Sequence, residues 1–176
     1  AKTKGVALKH YIISSGIKEI IEGTIIAKNF EKIYASSFMY GPNGGAVWPA
    51  VVLNYTSKTQ YLFRINKGCE DITDNRSVNT YVAPADRAVP FTNMVYIGDG
   101  DTDIPCMKII KQAGGHAIAV YKGKSASKTR AHHLIADGRV NIVLPADYSE
   151  NKKLEVYVRA LIDKIAADTK LKRLEG

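Results

Sequence analysis

A chain of 176 residues that is 45% hydrophobic and 24% charged can bury one core, and its composition excludes a disordered, collagenous or low-complexity protein. Its 25 Lys and Arg against 17 Asp and Glu give a net charge of +8, which would attract anions. Outside the C-terminal KLKR, however, the basic residues are scattered, with no RNA-recognition signature or zinc-finger spacing to indicate nucleic-acid binding.

No apolar run reaches the roughly eighteen residues of a membrane span, and AKTKGVALKH lacks the apolar centre of a signal peptide, so a single cytoplasmic domain over residues 1–176 is expected, without a membrane partner. Cys69 and Cys106 form no CxxC pair and have no histidine at ligand spacing, which excludes a disulfide framework or structural zinc.

In chain order, VALKHYIIS predicts a strand and SGIKEIIEGTIIAKN a helix, with Ile17, Ile20, Ile21 and Ile25 on one face. KIYASSFMY reads as a second strand. The excursion YGPNGGAVWPAVVLNY is turn-rich and admits either a short hairpin or a small lid. SKTQYLFRINKG predicts a short helix ending at Gly68. After a polar stretch from Glu70 to Pro90, NMVYIG has the continuous apolar character of a strand buried on both faces, and it runs into the acidic loop GDGDTD.

DIPCMKIIKQAGG predicts a helix with Pro105 in its first turn and Gly114 and Gly115 as its stop. HAIAVY and VNIVLP read as buried strands with a short helix, SASKTRAHHLIADG, between them. Leu154, Tyr157, Val158, Leu161 and Ile165 define the face of a terminal helix. Strands alternating with helices in this way predict an α/β fold with a mainly parallel sheet, and the chemistry of such sheets sits at the carboxyl ends of strands.

Two loops meet that condition. In GDGDTD, Asp99 and Asp103 can turn two carboxylates toward one point, a hard-oxygen arrangement that suits Mg2+, while Asp101 could cap the following helix. In YIISSG, Ser14, Ser15 and Gly16 stand between a strand and the expected helix start, where a hydroxyl and free backbone N–H groups can hold phosphoryl oxygens or simply form an N-cap. A lysine would neutralise the phosphate, and Lys58, in Ser57-Lys58-Thr59, competes with Lys67 for that role. The adjacent His132 and His133 have a poor geometry for joint metal binding and read as surface residues.

In order, YIISSG, SKT and VYIGDGDTD resemble the second, third and fourth motifs of the haloacid dehalogenase superfamily. The resemblance covers the chain from about Ala7 onward and implies a three-layer α/β/α, Rossmann-like sheet. It also implies a Mg2+-dependent phosphatase acting on a small phosphorylated metabolite. On it, Ser14 would hydrogen-bond the phosphoryl group with Ser15 and Gly16 beside it, Lys58 would steady the phosphoryl oxygens, Asp99 would bind magnesium, and Asp103 would do so directly or through water.

The family's nucleophile is an aspartate in a DxDx[TV] motif at the end of an earlier, central strand. AKTKGVALKHYII, the segment before Ser14, contains no Asp or Glu. The chain alone is therefore expected to be inactive and its sheet incomplete by one strand. The expectation is an N-terminally truncated core, or one in which another segment, its own N-terminal part, fills the slot. The alternative is a non-catalytic domain that binds a phosphate or a partner. A third option, a nucleic-acid enzyme of the toprim kind, lacks the glutamate it would need on an earlier strand end.

Overall fold

The computed structural model describes residues 5–123 and 125–175. Its strands are β1 (Tyr11–Ile17), β2 (Lys32–Tyr40), β3 (Ala46–Val51), β4 (Val95–Gly98), β5 (His116–Tyr121) and β6 (Ile142–Pro145). Its helices are α1 (Lys18–Glu22), α2 (Lys58–Lys67), α3 (Asn75–Asn79), α4 (Ile104–Gln112), α5 (Ser125–Ala136) and α6 (Lys153–Glu175).

The strands form two three-stranded sheets. In the first, β1 runs parallel to β2, and β2 pairs antiparallel with β3. The second is wholly parallel, in the order β4-β5-β6, with α4 and α5 as the crossovers. β1 and β4 are each the edge of their own sheet and do not pair with one another.

The period-two alternation of β5 explains how that sheet is covered. Ala117 and Ala119 face one cluster, with Met107 and Ile110 of α4, Tyr61, Leu62 and Ile65 of α2, and Ala131 of α5. Ile118 and Val120 face a second cluster, with Leu144 of β6 and Leu154 and Leu161 of α6. Helices thus cover both faces of the second sheet, an α/β layering compatible with a Rossmann-like layout. The first cluster also takes in Tyr34 and Leu53, with Tyr11 and Ile13 packed against it. One apolar core therefore joins the two sheets although their backbones do not pair.

Each predicted strand and helix forms, but two expectations are corrected. The helix after Ser-Ser-Gly is only the five residues of α1, because Gly23 and Thr24 end it in a turn; Ile20 and Ile25 are 68% and 90% exposed rather than on a buried face. β4 is not buried on both faces: as an unpaired edge it leaves Ile97 38% exposed. α2 ends at Gly68 as expected, whose positive φ of 71° provides the left-handed turn a side chain would resist.

Candidate functional site

The acidic loop follows β4. Gly98 ends that strand where a side chain would not fit: a Cβ there would lie 2.7 Å from both Asp103 Cβ and Met107 Cε. The glycine lets the loop fold back so that Asp103, at the start of α4, comes under the strand end. The Gly100 backbone N–H donates to Asp103 Oδ2 at 3.2 Å, and the Asp103 N–H donates to the Gly100 carbonyl at 3.0 Å. Pro105 fits the first turn of α4 because its missing N–H would have no helical partner there.

α2 brings Lys58 to the same point. Its Nζ donates to Asp103 Oδ1 at 2.8 Å and to Thr102 Oγ1 at 3.0 Å, and the Tyr96 hydroxyl of β4 donates to Asp103 Oδ1 at 2.8 Å. Lys58 and Asp103 are only 4% and 8% exposed. Two charges removed from water to this degree are tolerable only because they neutralise each other and find further hydrogen bonds. The three donors on Asp103 are Lys58, Tyr96 and Gly100. An ammonium has three N–H groups, and two of those on Lys58 are used; among the described residues the third has no acceptor. Burial, then nearby Cys106 and Asp103, drives the Tyr96 phenol far above its ordinary pKa, so it stays a donor.

Asp99 remains exposed beside this pair with no hydrogen-bond donor assigned to it among the described residues. It lies close enough to Tyr148 that its charge, after partial burial, contributes to the raised pKa of that phenol. Asp101 does not cap α4 as expected. It lies in a 3-10 turn, exposed, with its carboxylate 3.5 Å from the Arg130 guanidinium of α5.

The structure separates the two candidate lysines. Lys67 donates to the Val78 and Thr80 carbonyls, both at 2.7 Å, so its ammonium ties down the C-terminal end of α3. Lys58 alone of the two reaches the acidic loop.

At the other loop, Ser14 is partly buried in the middle of β1, where the regular pairing with β2 ends. The pairing with β2 slips here, from Ser14 opposite Ala35 to Ile17 opposite Ser36, so Ser15 and Gly16 bulge out of the ladder. Ser14 Oγ accepts the Gly16 N–H at 3.0 Å, and the Ser15 carbonyl accepts from Ser36 Oγ at 3.4 Å. Gly16 therefore does not open a helix. α1 starts at Lys18 and, at five residues, is too short to present an anion-binding end. Ser14 is the surviving phosphate-contacting candidate of that trio.

Sequence reasoning missed Tyr96, Thr102 and Arg130. The first two lie within VYIGDGDTD, where a polar side chain in an apolar strand was a usable signal; Arg130 had none. His132 and His133 are exposed, as expected, and Cys106 is buried. No group of three or more His, Cys, Asp or Glu side chains converges among the described residues, nor is any helix there long and apolar enough to cross a membrane.

Fold and site together define an α/β protein with a buried lysine–carboxylate pair at the carboxyl end of a parallel strand. No family model matches the chain, and no solved structure matches it. It is similar to an uncharacterized protein of Borreliella burgdorferi (strain ATCC 35210 / DSM 4680 / CIP 102532 / B31), 29% identical over 164 residues that cover 84% of this chain and 55% of that protein. The chain thus spans just over half the length of this relative.

Proposed function

We propose that this chain is part of the core of a magnesium-dependent phosphomonoester phosphatase of the haloacid dehalogenase type, inactive alone because a further segment must supply the nucleophilic carboxylate. The observation that carries the reading is the buried Lys58–Asp103 pair, 2.8 Å apart, which ties α2 to the loop that also bears the exposed Asp99. Asp103 holds the Lys58 ammonium in place, and the unused N–H of Lys58 is available to a phosphoryl oxygen. Phosphoryl transfer depends chiefly on such positioning and charge neutralisation.

The donor set fits magnesium in part. The cation takes one or two carboxylates plus waters and substrate phosphate, and Asp99 is a free hard-oxygen ligand, whereas Asp103 already accepts three hydrogen bonds and is better placed to act through water. When bound, the ion would offset phosphate charge. Ser14 Oγ, where the regular part of β1 ends, would hydrogen-bond a phosphoryl oxygen.

The unpaired edges of β1 and β4, bridged by one apolar core, support a missing strand between them as the source of the nucleophile. An aspartate oxygen on that strand would form the bond to phosphorus as the ester P–O bond breaks, a second aspartate of the same segment giving its proton to the departing alcohol, and water deprotonated by that aspartate would then release inorganic phosphate from the aspartyl-phosphate. The substrate would be a small phosphorylated metabolite.

One observation favours a second reading. The full hydrogen-bond complement of Asp103 suits a structural clamp as well as a catalytic one, consistent with a non-catalytic phosphate- or partner-binding domain.

The test compares this chain with the product of the complete reading frame, each characterised by intact mass, in magnesium-dependent hydrolysis of a generic phosphomonoester. The phosphatase reading expects no turnover by the chain, turnover by the complete product, and sharp loss with Asp99→Asn. A complete product without turnover that still binds inorganic phosphate would replace it with the binding reading.

A further inference from the structure

Thr102 is the solvent-exposed partner of a buried ammonium: its Oγ1 lies 3.0 Å from Lys58 Nζ. The polarity of that bond follows from the groups themselves. An ammonium has no lone pair and can only donate, so the hydroxyl accepts, and its single hydrogen is left for another acceptor. Among the described residues Thr102 Oγ1 makes no other hydrogen bond. Lys58 in turn gives one N–H to Asp103 and one to Thr102, and keeps a third. Two adjacent donors, one of them charged, therefore each retain a hydrogen.

We propose that Lys58 and Thr102 form a single two-donor oxyanion site, in which the Thr102 hydroxyl donates to one oxygen of a phosphoryl group and the Lys58 ammonium to a second oxygen of the same group. This rests on the reading of Lys58 as the lysine that neutralises phosphate, and adds to it a residue that touches the ligand. It also narrows the ligand class to an oxyanion with two oxygens side by side, because paired donors are matched only by paired acceptors.

The donors are fixed before any ligand arrives. Thr102 stands between Gly100 and Asp103, whose backbones are joined by the Asp103 N–H to Gly100 carbonyl bond at 3.0 Å, and Asp103 is held further by Lys58, Tyr96 and the Gly100 N–H. A β-branched side chain has few χ1 rotamers, and the bond from Lys58 selects one of them. Donors held in this way need no reorganisation when the anion binds.

The charge of the loop sets the conditions. Asp103 is neutralised by Lys58, and Asp101 faces the Arg130 guanidinium at 3.5 Å, so within the acidic loop Asp99 is the carboxylate that opposes an anion. A magnesium-containing buffer offsets that charge.

In such a buffer, inorganic phosphate is titrated calorimetrically into the product of the complete reading frame, for the native protein, T102V and T102S. Valine nearly preserves the shape of threonine and removes the hydroxyl; serine keeps the hydroxyl and removes the methyl group. T102V is expected to bind phosphate about tenfold or more weakly, the scale of one hydrogen bond to a charged group, and T102S to stay within about threefold of native. A crystal structure of the native protein with phosphate is expected to place phosphate oxygens within hydrogen-bond distance of both Thr102 Oγ1 and Lys58 Nζ. Native affinity in T102V, or a T102S protein as weak as T102V, would overturn the two-donor site. So would a complex in which phosphate meets Lys58 but not Thr102, since Thr102 would then only hold the lysine; the role of Lys58 would survive each of these results. A native protein that binds no phosphate would instead remove the reading of Lys58, and the two-donor site with it. Should T102V not fold, the complex with the native protein decides.

Discussion

Lys58 and Asp103 stand 45 positions apart in the chain and meet with 2.8 Å between ammonium and carboxylate, at a point where α2 and the start of α4 come together. Neither charge can be left there alone. Truncating one partner strands the other in a poorly solvated site, which for buried pairs costs about 3–5 kcal/mol. Lys58→Met or Asp103→Leu should therefore lower the urea midpoint substantially, while the double variant should cost clearly less than the sum of the two. Additive losses would show that the charges do not depend on each other.

Gly98 should be intolerant of even one methyl group. A Cβ there sits 2.7 Å from two heavy atoms, one on Asp103 and one on Met107, so Gly98→Ala must displace the acidic loop or α4. Overpacking of this kind costs roughly 1–3 kcal/mol. Gly123 has nothing within 4 Å of its would-be Cβ and no positive φ, which makes Gly123→Ala the matched control. Thermal melts of the two variants side by side should show a loss only for the first.

The two thiols should differ in reactivity. Burial pushes the Cys106 thiol up to about 11, and the residue is 0% exposed, so neither thiolate nor access is available near neutral pH. Cys69 is partly exposed. Titration of the folded protein with an aromatic disulfide should find one fast thiol per chain, and denaturant should release the second. Two fast thiols in the native state would contradict the packing around Cys106.

His116 should give the protein an acid-sensitive limb. Burial, reinforced by the nearby positive charge of Lys164, lowers its pKa from 6.5, and its Nδ1 is buried without a hydrogen-bond partner. A base whose folded pKa is depressed binds fewer protons folded than unfolded. Its contribution is therefore complete above about pH 6.5 and is lost as pH falls through the lowered folded value. One proton limits the slope to about 1.4 kcal/mol per pH unit. His116→Gln should flatten the stability profile of chemical denaturation between pH 7 and 5; an unchanged slope would assign the acid limb to other groups.

Much of the secondary structure was legible because local rules agree with the tertiary outcome. The apolar run HAIAVY became a strand covered on both faces, and the stop at Gly68 followed from its freedom at positive φ. The reading failed where a short segment carried two signals. Isoleucine spacing after Ser-Ser-Gly suggested a long amphipathic helix, but Ile20 and Ile25 lie largely in solvent, and with so little burial a helix interrupted by Gly23 has too little to hold it. The apolar pattern of NMVYIG could not reveal that its strand ends a sheet, since exposure of Ile97 depends on the neighbour that β4 lacks.

By itself the sequence determined the order of strands and helices, the acidic turn after an apolar strand, and the serine that follows the apolar residues of another. These follow from periodicity, turn chemistry and composition, which act over a few residues. Tertiary structure decided which lysine serves the acidic loop, because Lys58 and Lys67 share one helix and only packing sends the first to Asp103 and the second to the Val78 and Thr80 carbonyls. It also decided that Asp103 is enclosed by Lys58, Tyr96 and Gly100 while Asp99 stays open to solvent, since burial is a property of what three separate elements bring together and not of the three residues between those two acids.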